Sequence, residues 1–184
     1  MSSIRDTYKI IVAGDEESGY SFCTRLMDRQ LPDPRKVALE SLSKDWPKDE
    51  WVKFITLSSK GTVFTMELDL ELHGPWIWEL YNVMDPRDYF RRFAAAVICA
   101  NPKRPESLIH IPSFIESMDT HIGKRIPMVL IIDSSQHISK NELKPVEEIA
   151  LQMEIPFRKV SIETGDNLDN VLKELAIRIQ ETEE

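Results

Sequence analysis

The hydrophobic pattern changes its period several times along the chain. Residues 8–13, YKIIVA, form a continuous apolar run rich in β-branched side chains, which predicts a buried strand. Gly14 ends it, a short polar stretch and Gly19 follow, and Phe22, Leu26 and Met27 then recur at helical spacing. Strand, glycine-bounded loop and helix are therefore expected in succession. Residues 31–53 are the least regular part, with Pro32, Pro34, Pro47, Trp46 and Trp51 among many charges; they read as a long surface excursion with a short helix over 37–42.

Thr62–Leu72 alternates strictly. Met66, Leu68, Leu70 and Leu72 point one way and Glu67, Asp69 and Glu71 the other, as in a strand with one solvated face. His73-Gly74-Pro75 reads as a tight turn and residues 76–81 as the return strand of a hairpin. In that register Asp69 opposes Glu79, with Ile77 and Tyr81 exposed beside the pair. Two opposed carboxylates destabilise a sheet unless something basic sits between them. Asp69, Ile77, Glu79 and Tyr81 are therefore candidates for a surface that docks a protein partner.

Further on, residues 82–88 read as a polar loop, 89–93 as a helical turn and 94–100, AAAVICA, as a second buried strand. Ile111, Phe114, Ile115, Met118 and Ile122 mark a helix with Pro112 in its first turn, and 128–132 a third buried strand. Val146, Ile149, Ala150 and Met153 mark the next helix, 157–161 a short strand, and Asp166 or Asn167 the cap of a last helix through Ile179. The order β–α–β–β–α–β–α–β–α–β–α predicts one α/β domain. Its sheet is mostly parallel, holds one antiparallel hairpin and carries helices on both faces.

Composition narrows the function classes. A chain of 184 residues suits one domain with a sizeable core, and a net charge of −8 argues against a general nucleic-acid or anionic-membrane surface. No apolar run is long enough to span a bilayer, and the opening MSSIRDTYK has no signal-peptide apolar region. Cys23 and Cys99 sit in apolar contexts, which predicts free thiols and a cytoplasmic setting. His73, His110, His121 and His137 are scattered without metal-ligand spacing.

Residues 14–21 carry the frame G-x-x-x-x-G-x-S of the phosphate-cradling P-loop. There, backbone N–H groups face an anion, a lysine reaches the β- and γ-phosphates, and a hydroxyl ligates Mg²⁺. Tyr20 stands in the lysine's place. With the element order, this frame resembles the Ras-like small GTPases over about residues 8–180, in particular the prokaryotic branch that includes the gliding-motility polarity GTPases. The resemblance implies a six-stranded sheet with the hairpin strand Thr62–Leu72 on one edge, and a nucleotide site at the strand C-termini with Gly14, Asp15, Gly19 and Ser21 in the P-loop. Thr62 would be the switch threonine, closing with Ser21 on Mg²⁺. The family's D-x-x-G-Q falls on residues 82–86, its N-K-x-D on residues 133–136 and its S-A-K on residues 161–163.

The implied positions hold the wrong chemistry. Tyr20 removes the phosphate-binding cation, and Asp85 puts a carboxylate where a glycine N–H would meet the γ-phosphate. Pro86 cannot orient an attacking water, and Asn82 is a weaker anchor for a Mg²⁺ shell than aspartate. Asp133, as an acceptor-only carboxylate, cannot donate to guanine N7, and Gln136 offers one acceptor for two guanine donors; Ser161 and Ile162 keep the last segment's place. Unit charges ~5 Å apart at an effective dielectric near 20 interact by roughly 3 kcal/mol, so one lost attraction and one new repulsion weaken binding about 10⁴-fold.

Lys103-Arg104, Arg87 and Arg91-Arg92 read as small solvated basic spots, although an arginine near Tyr20 could stand in for the missing lysine. The resulting expectation is a pseudo-GTPase that acts through protein contacts, without cofactor. The alternative is a slow nucleotide switch that still binds GTP or GDP with Mg²⁺. A response-regulator-type phospho-acceptor fits less well, since no lysine follows the strand 128–132.

Overall fold

The computed structural model describes residues 3–27, 51–59, 62–73 and 85–183. Its strands are β1 (Ser3–Gly14), β2 (Trp51–Ser59), β3 (Thr62–Leu72), β4 (Phe93–Ala100), β5 (Met128–Asp133) and β6 (Phe157–Val160). Its helices are α1 (Glu16–Leu26), α2 (Pro86–Phe90), α3 (Pro105–Ile109), α4 (Ile111–Ile122), α5 (Lys140–Gln152) and α6 (Leu168–Glu183). The six strands form one sheet in the order β2-β3-β1-β4-β5-β6. Every neighbouring pair is parallel except β2 with β3.

The central strands read as unbroken apolar runs because both of their faces are covered. On one face Ile10 and Val12 of β1 join Phe22, Cys23 and Leu26 of α1 and the stripe Leu168, Val171, Leu172, Leu175 and Ile179 of α6. On the other, Ile11 and Ala13 meet Tyr89 and Phe90 of α2, Ile115 and Met118 of α4, and Val146 and Ala150 of α5. α5 starts earlier than its apolar stripe. Ser139 and Glu142 form a reciprocal capping box that satisfies the first-turn amides. Among the described residues no helix is long and apolar enough to cross a membrane.

The antiparallel pair differs from the sequence expectation. The partner of β3 is the preceding strand β2, paired from Ser59↔Thr62 to Trp51↔Leu70, and the edge strand is β2. The other edge of β3 is taken by β1, from Ser3↔Phe64 to Val12↔Leu72. With both edges hydrogen-bonded, β3 has no place for a return strand from 76–81. Asp69 is flanked by Val52 and Lys9 instead of Glu79. Lys9 Nζ lies 2.8 Å from Asp69 and 3.9 Å from Glu71, and Arg92 Nη2 lies 2.8 Å from Glu71, so Asp69 and Glu71 are both matched by cations within the chain. Only two residues separate Ser59 from Thr62, which makes this pairing entropically cheap. Ile77, Glu79, Tyr81 and Asn82, and the helix expected over 37–42, lie outside the described residues.

Candidate functional site

The carboxyl ends of β1, β4, β5 and β6 surround a cavity of about 320 Å³. Its first wall comes from the end of β1. Gly14 has φ +100°, and a Cβ there would stand 2.2 Å from the Cys99 carbonyl oxygen on β4, so only glycine fits. The next amide, Asp15 N–H, donates to that carbonyl at 2.7 Å.

At this point the geometry departs from a phosphate cradle. Residues 15–18 are not a loop, because α1 begins at Glu16 with Asp15 as its N-cap. One Asp15 oxygen accepts from Ser18 N–H at 2.9 Å and from Ser18 Oγ at 2.7 Å, and Gly19 N–H donates to the Asp15 carbonyl at 2.9 Å. A strong capping residue followed by Glu16 and Glu17 favours an early helix start, since acidic groups in the first turn suit the helix dipole. Of the amides that would face an anion, those of Asp15, Ser18 and Gly19 are therefore taken up internally. Gly19 serves close packing: a Cβ on it would lie 2.8 Å from Leu72 Cδ1 and 3.4 Å from Val12 Cγ1.

The second wall is the β4–α3 loop, with Asn101, Pro102, Lys103 and Arg104. Arg104 Nη2 donates to Asp15 Oδ1 at 2.8 Å and stands 2.8 Å from Glu17 Oε2. The Asp15 side chain is 6% exposed and that of Arg104 37%, so a nearly buried carboxylate is held by a partly solvated cation. Burial, and secondarily the Asp15 charge, pushes the Glu16 carboxyl up to about 7.

The third wall joins the β5–α5 and β6–α6 loops through Asp133. Its Oδ1 accepts from Ser135 N–H at 3.0 Å, Ser135 Oγ at 2.6 Å and Ile162 N–H at 3.0 Å. Ser135 Oγ accepts in turn from Glu163 N–H at 3.0 Å and lies 3.1 Å from Ser161 Oγ. Asp133 is thus an internal tie between two loops.

Of the residues expected to share this site, Ser21, Asp133, Gln136 and Ile162 do line the cavity, and Asp15 and Ser161 support its walls. Three others lie elsewhere. Tyr20 turns into the core on the α1–α6 side, its ring edge-on to Trp51 at 5.8 Å between centroids. Thr62 opens β3, which runs parallel to β1 and reaches the cavity end only at Leu72; ten residues at ~3.3 Å put Thr62 about 30 Å from that end, so it cannot close with Ser21 on one ion. Asp85 caps α2, accepting from Arg87 N–H at 2.8 Å, and does not line the cavity. Among the described residues no group of three or more His, Cys, Asp or Glu is arranged to hold a metal ion.

The cavity is also lined by Asn101, which the sequence reading does not single out, by Ser135 and Glu163, which enter it only as members of the segments 133–136 and 161–163, and by Lys103-Arg104, which read as a solvated basic spot. The available signal is position: each lies in the loop that follows a strand, where open α/β sheets form sites. Neither a protein-family model nor a curated protein matches the sequence.

Proposed function

We propose that the chain is a Ras-like small-GTPase-fold protein whose nucleotide site is closed by its own side chains, and that it acts through protein contacts. The observation that carries this reading is the Asp15 carboxylate at the N-terminus of α1, capped onto Ser18 and held by Arg104. A phosphate would have to displace it from the same N–H and guanidinium donors. Mg²⁺-GTP fits the residues present poorly: Tyr20 is packed against Trp51, Thr62 is at the far end of the sheet, and Asp133, an acceptor-only carboxylate, has one oxygen engaged by Ser135 and Ile162. Support for the fold part of the reading is the central β1, its immediate passage into α1, and the antiparallel strand at the sheet edge.

The contact surface on this reading is the outer face of β2 and β3. Phe54, paired with Glu67 one step from Asp69, is 54% exposed there, and Val63, towards the other end of β3, is 50% exposed. Asp69 remains part of it as a neutralised residue rather than an unmatched one.

A nucleotide switch is the second reading, and Lys103 and Arg104 favour it, because both line the cavity together with Ser21. The deciding experiment measures nucleotide released by heat from the purified protein, and the melting temperature with and without Mg²⁺-GTP. Ligand at ~100 times its dissociation constant adds about 2.7 kcal/mol, so the test is sensitive. No released nucleotide and no shift are expected. Near-stoichiometric guanine nucleotide would reject the closed-site reading in favour of the switch.

A further inference from the structure

A second concavity, about 580 Å³, lies between the α3–α4 junction and α5. Pro105, Ile109 and Pro112 form one wall, and Pro145 and Ile149 the other. Ile109 is 71% exposed at its rim, although single exposed aliphatics elsewhere on a surface need no explanation. Here the exposure is continuous with an apolar groove. The proline rings have no side-chain rotamers to lose on binding, so the walls are pre-organised.

The charges in the lining have one sign. Among the described residues Glu142 and Glu148 are its only charged members. Glu142 is fixed by Ser139, whose N–H and Oγ donate to it at 2.8 and 2.7 Å. Glu148 faces Lys144 at 3.7 Å, but both are well exposed, and such a pair is readily exchanged for a partner's cation. Both walls are built on helices, whose backbone hydrogen bonds are internal, so the groove has no free edge to which a strand could add. Grooves of this kind take the apolar face of an amphipathic helix.

We propose that this groove docks an amphipathic helix of a partner protein, with aliphatic anchors along one face and Lys or Arg beside them. The inference extends the protein-contact reading above and does not depend on what the strand-end cavity holds. Ile109 and Glu148 are exposed, so their substitution leaves the fold intact and isolates the groove.

The test titrates the ¹⁵N-labelled full chain with a lysine-leucine peptide of about 15 residues, long enough for helix, with Leu at every third or fourth position. A scrambled peptide of the same composition is the control. Saturable amide shifts confined to α3, the start of α4 and α5 are expected with the amphipathic peptide alone. Ile109→Ser should weaken binding about tenfold, the scale of one anchor residue, and Glu148→Gln should weaken it at low salt. An equal response to the scrambled peptide, or shifts centred elsewhere, would overturn the proposal. A concentration-dependent dimer of the free chain lost in Ile109→Ser would also overturn it, by giving the groove to a second copy. Bound guanine nucleotide would reject the closed-site reading and leave these outcomes unaffected.

Discussion

Arg104 and Asp15, 89 residues apart in sequence, meet at 2.8 Å through the carboxylate oxygen that also caps α1. One oxygen therefore holds both the start of the helix and the loop after β4. Arg104→Gln should lower stability by about 1–2 kcal/mol, less than for a fully buried pair because the arginine is partly solvated. Urea unfolding of Arg104→Gln, Asp15→Asn and the double variant should show a coupling of about 1 kcal/mol. Strict additivity would mean that the pair contributes nothing.

Gly19 separates the packing account from the cradle account. In a phosphate loop, alanine there would disturb ligand approach and leave the apo fold alone. Here the new methyl would press on Leu72 Cδ1 at 2.8 Å. Gly19→Ala should destabilise the protein by about 1–2 kcal/mol net, although alanine would otherwise gain up to about 1 kcal/mol in a helix interior. Calorimetry on the ligand-free protein checks this, and a raised melting temperature would refute it.

Glu16 gives stability a pH dependence of unusual sign for a carboxylate. Its folded-state value of about 7 lies above the ordinary 4.5, so between these the folded state binds more protons than the unfolded one. Its contribution is fully present below about pH 4.5 and is lost as pH rises through 7. Glu16→Gln should therefore be more stable than the parent at pH 8, by about 1 kcal/mol once solvent screening is allowed for. The difference should fade towards pH 4.5, as melting temperatures of the two proteins across that range would show.

His73 works in the opposite direction. Burial lowers it to about 4 from 6.5, so its stabilising contribution is complete above 6.5 and is lost as pH falls through 4. Its ring packs 4.9 Å from Phe114, and its Nδ1 has no hydrogen-bond partner among the described residues. His73→Phe should flatten the acid limb of the stability curve between pH 6.5 and 4, measured by the same melts. An unchanged acid limb would place the acid sensitivity in other groups.

Asp133→Ala should release the two loops it joins. Hydrogen exchange at the Ile162 amide, which donates to Asp133 at 3.0 Å, should accelerate, with a loss of about 1–3 kcal/mol. Asp133→Asn keeps an acceptor oxygen and should exchange nearly as the parent does.

What could be read from the chain alone follows a local rule. Runs buried on both faces, such as AAAVICA and MVLII, reveal strands β4 and β5 because their sequence neighbours share one environment. The stripe Leu168, Val171, Leu172, Leu175 and Ile179 reveals α6 for the same reason. β2 carries no such signal because apolar residues occupy both of its faces: Trp51 and Ile55 point into the core while Val52 and Phe54 point outward, so no alternation marks it. The turn signal at His73-Gly74-Pro75 points to a hairpin after β3, whereas the antiparallel partner of β3 is the strand before it.

By itself, then, the sequence determined the α/β class and most of the strands and helices. Only the tertiary structure decided which strand β3 pairs with, that Lys9 rather than a partner answers Asp69, and that Arg104 reaches Asp15. The physical reason is that pairing and charge matching are contests between distant groups. A spacing such as G-x-x-x-x-G-x-S is compatible with either a loop or a helix start. The Asp15 cap, the Cys99 carbonyl and the Leu72 side chain, brought together only by the fold, select the helix.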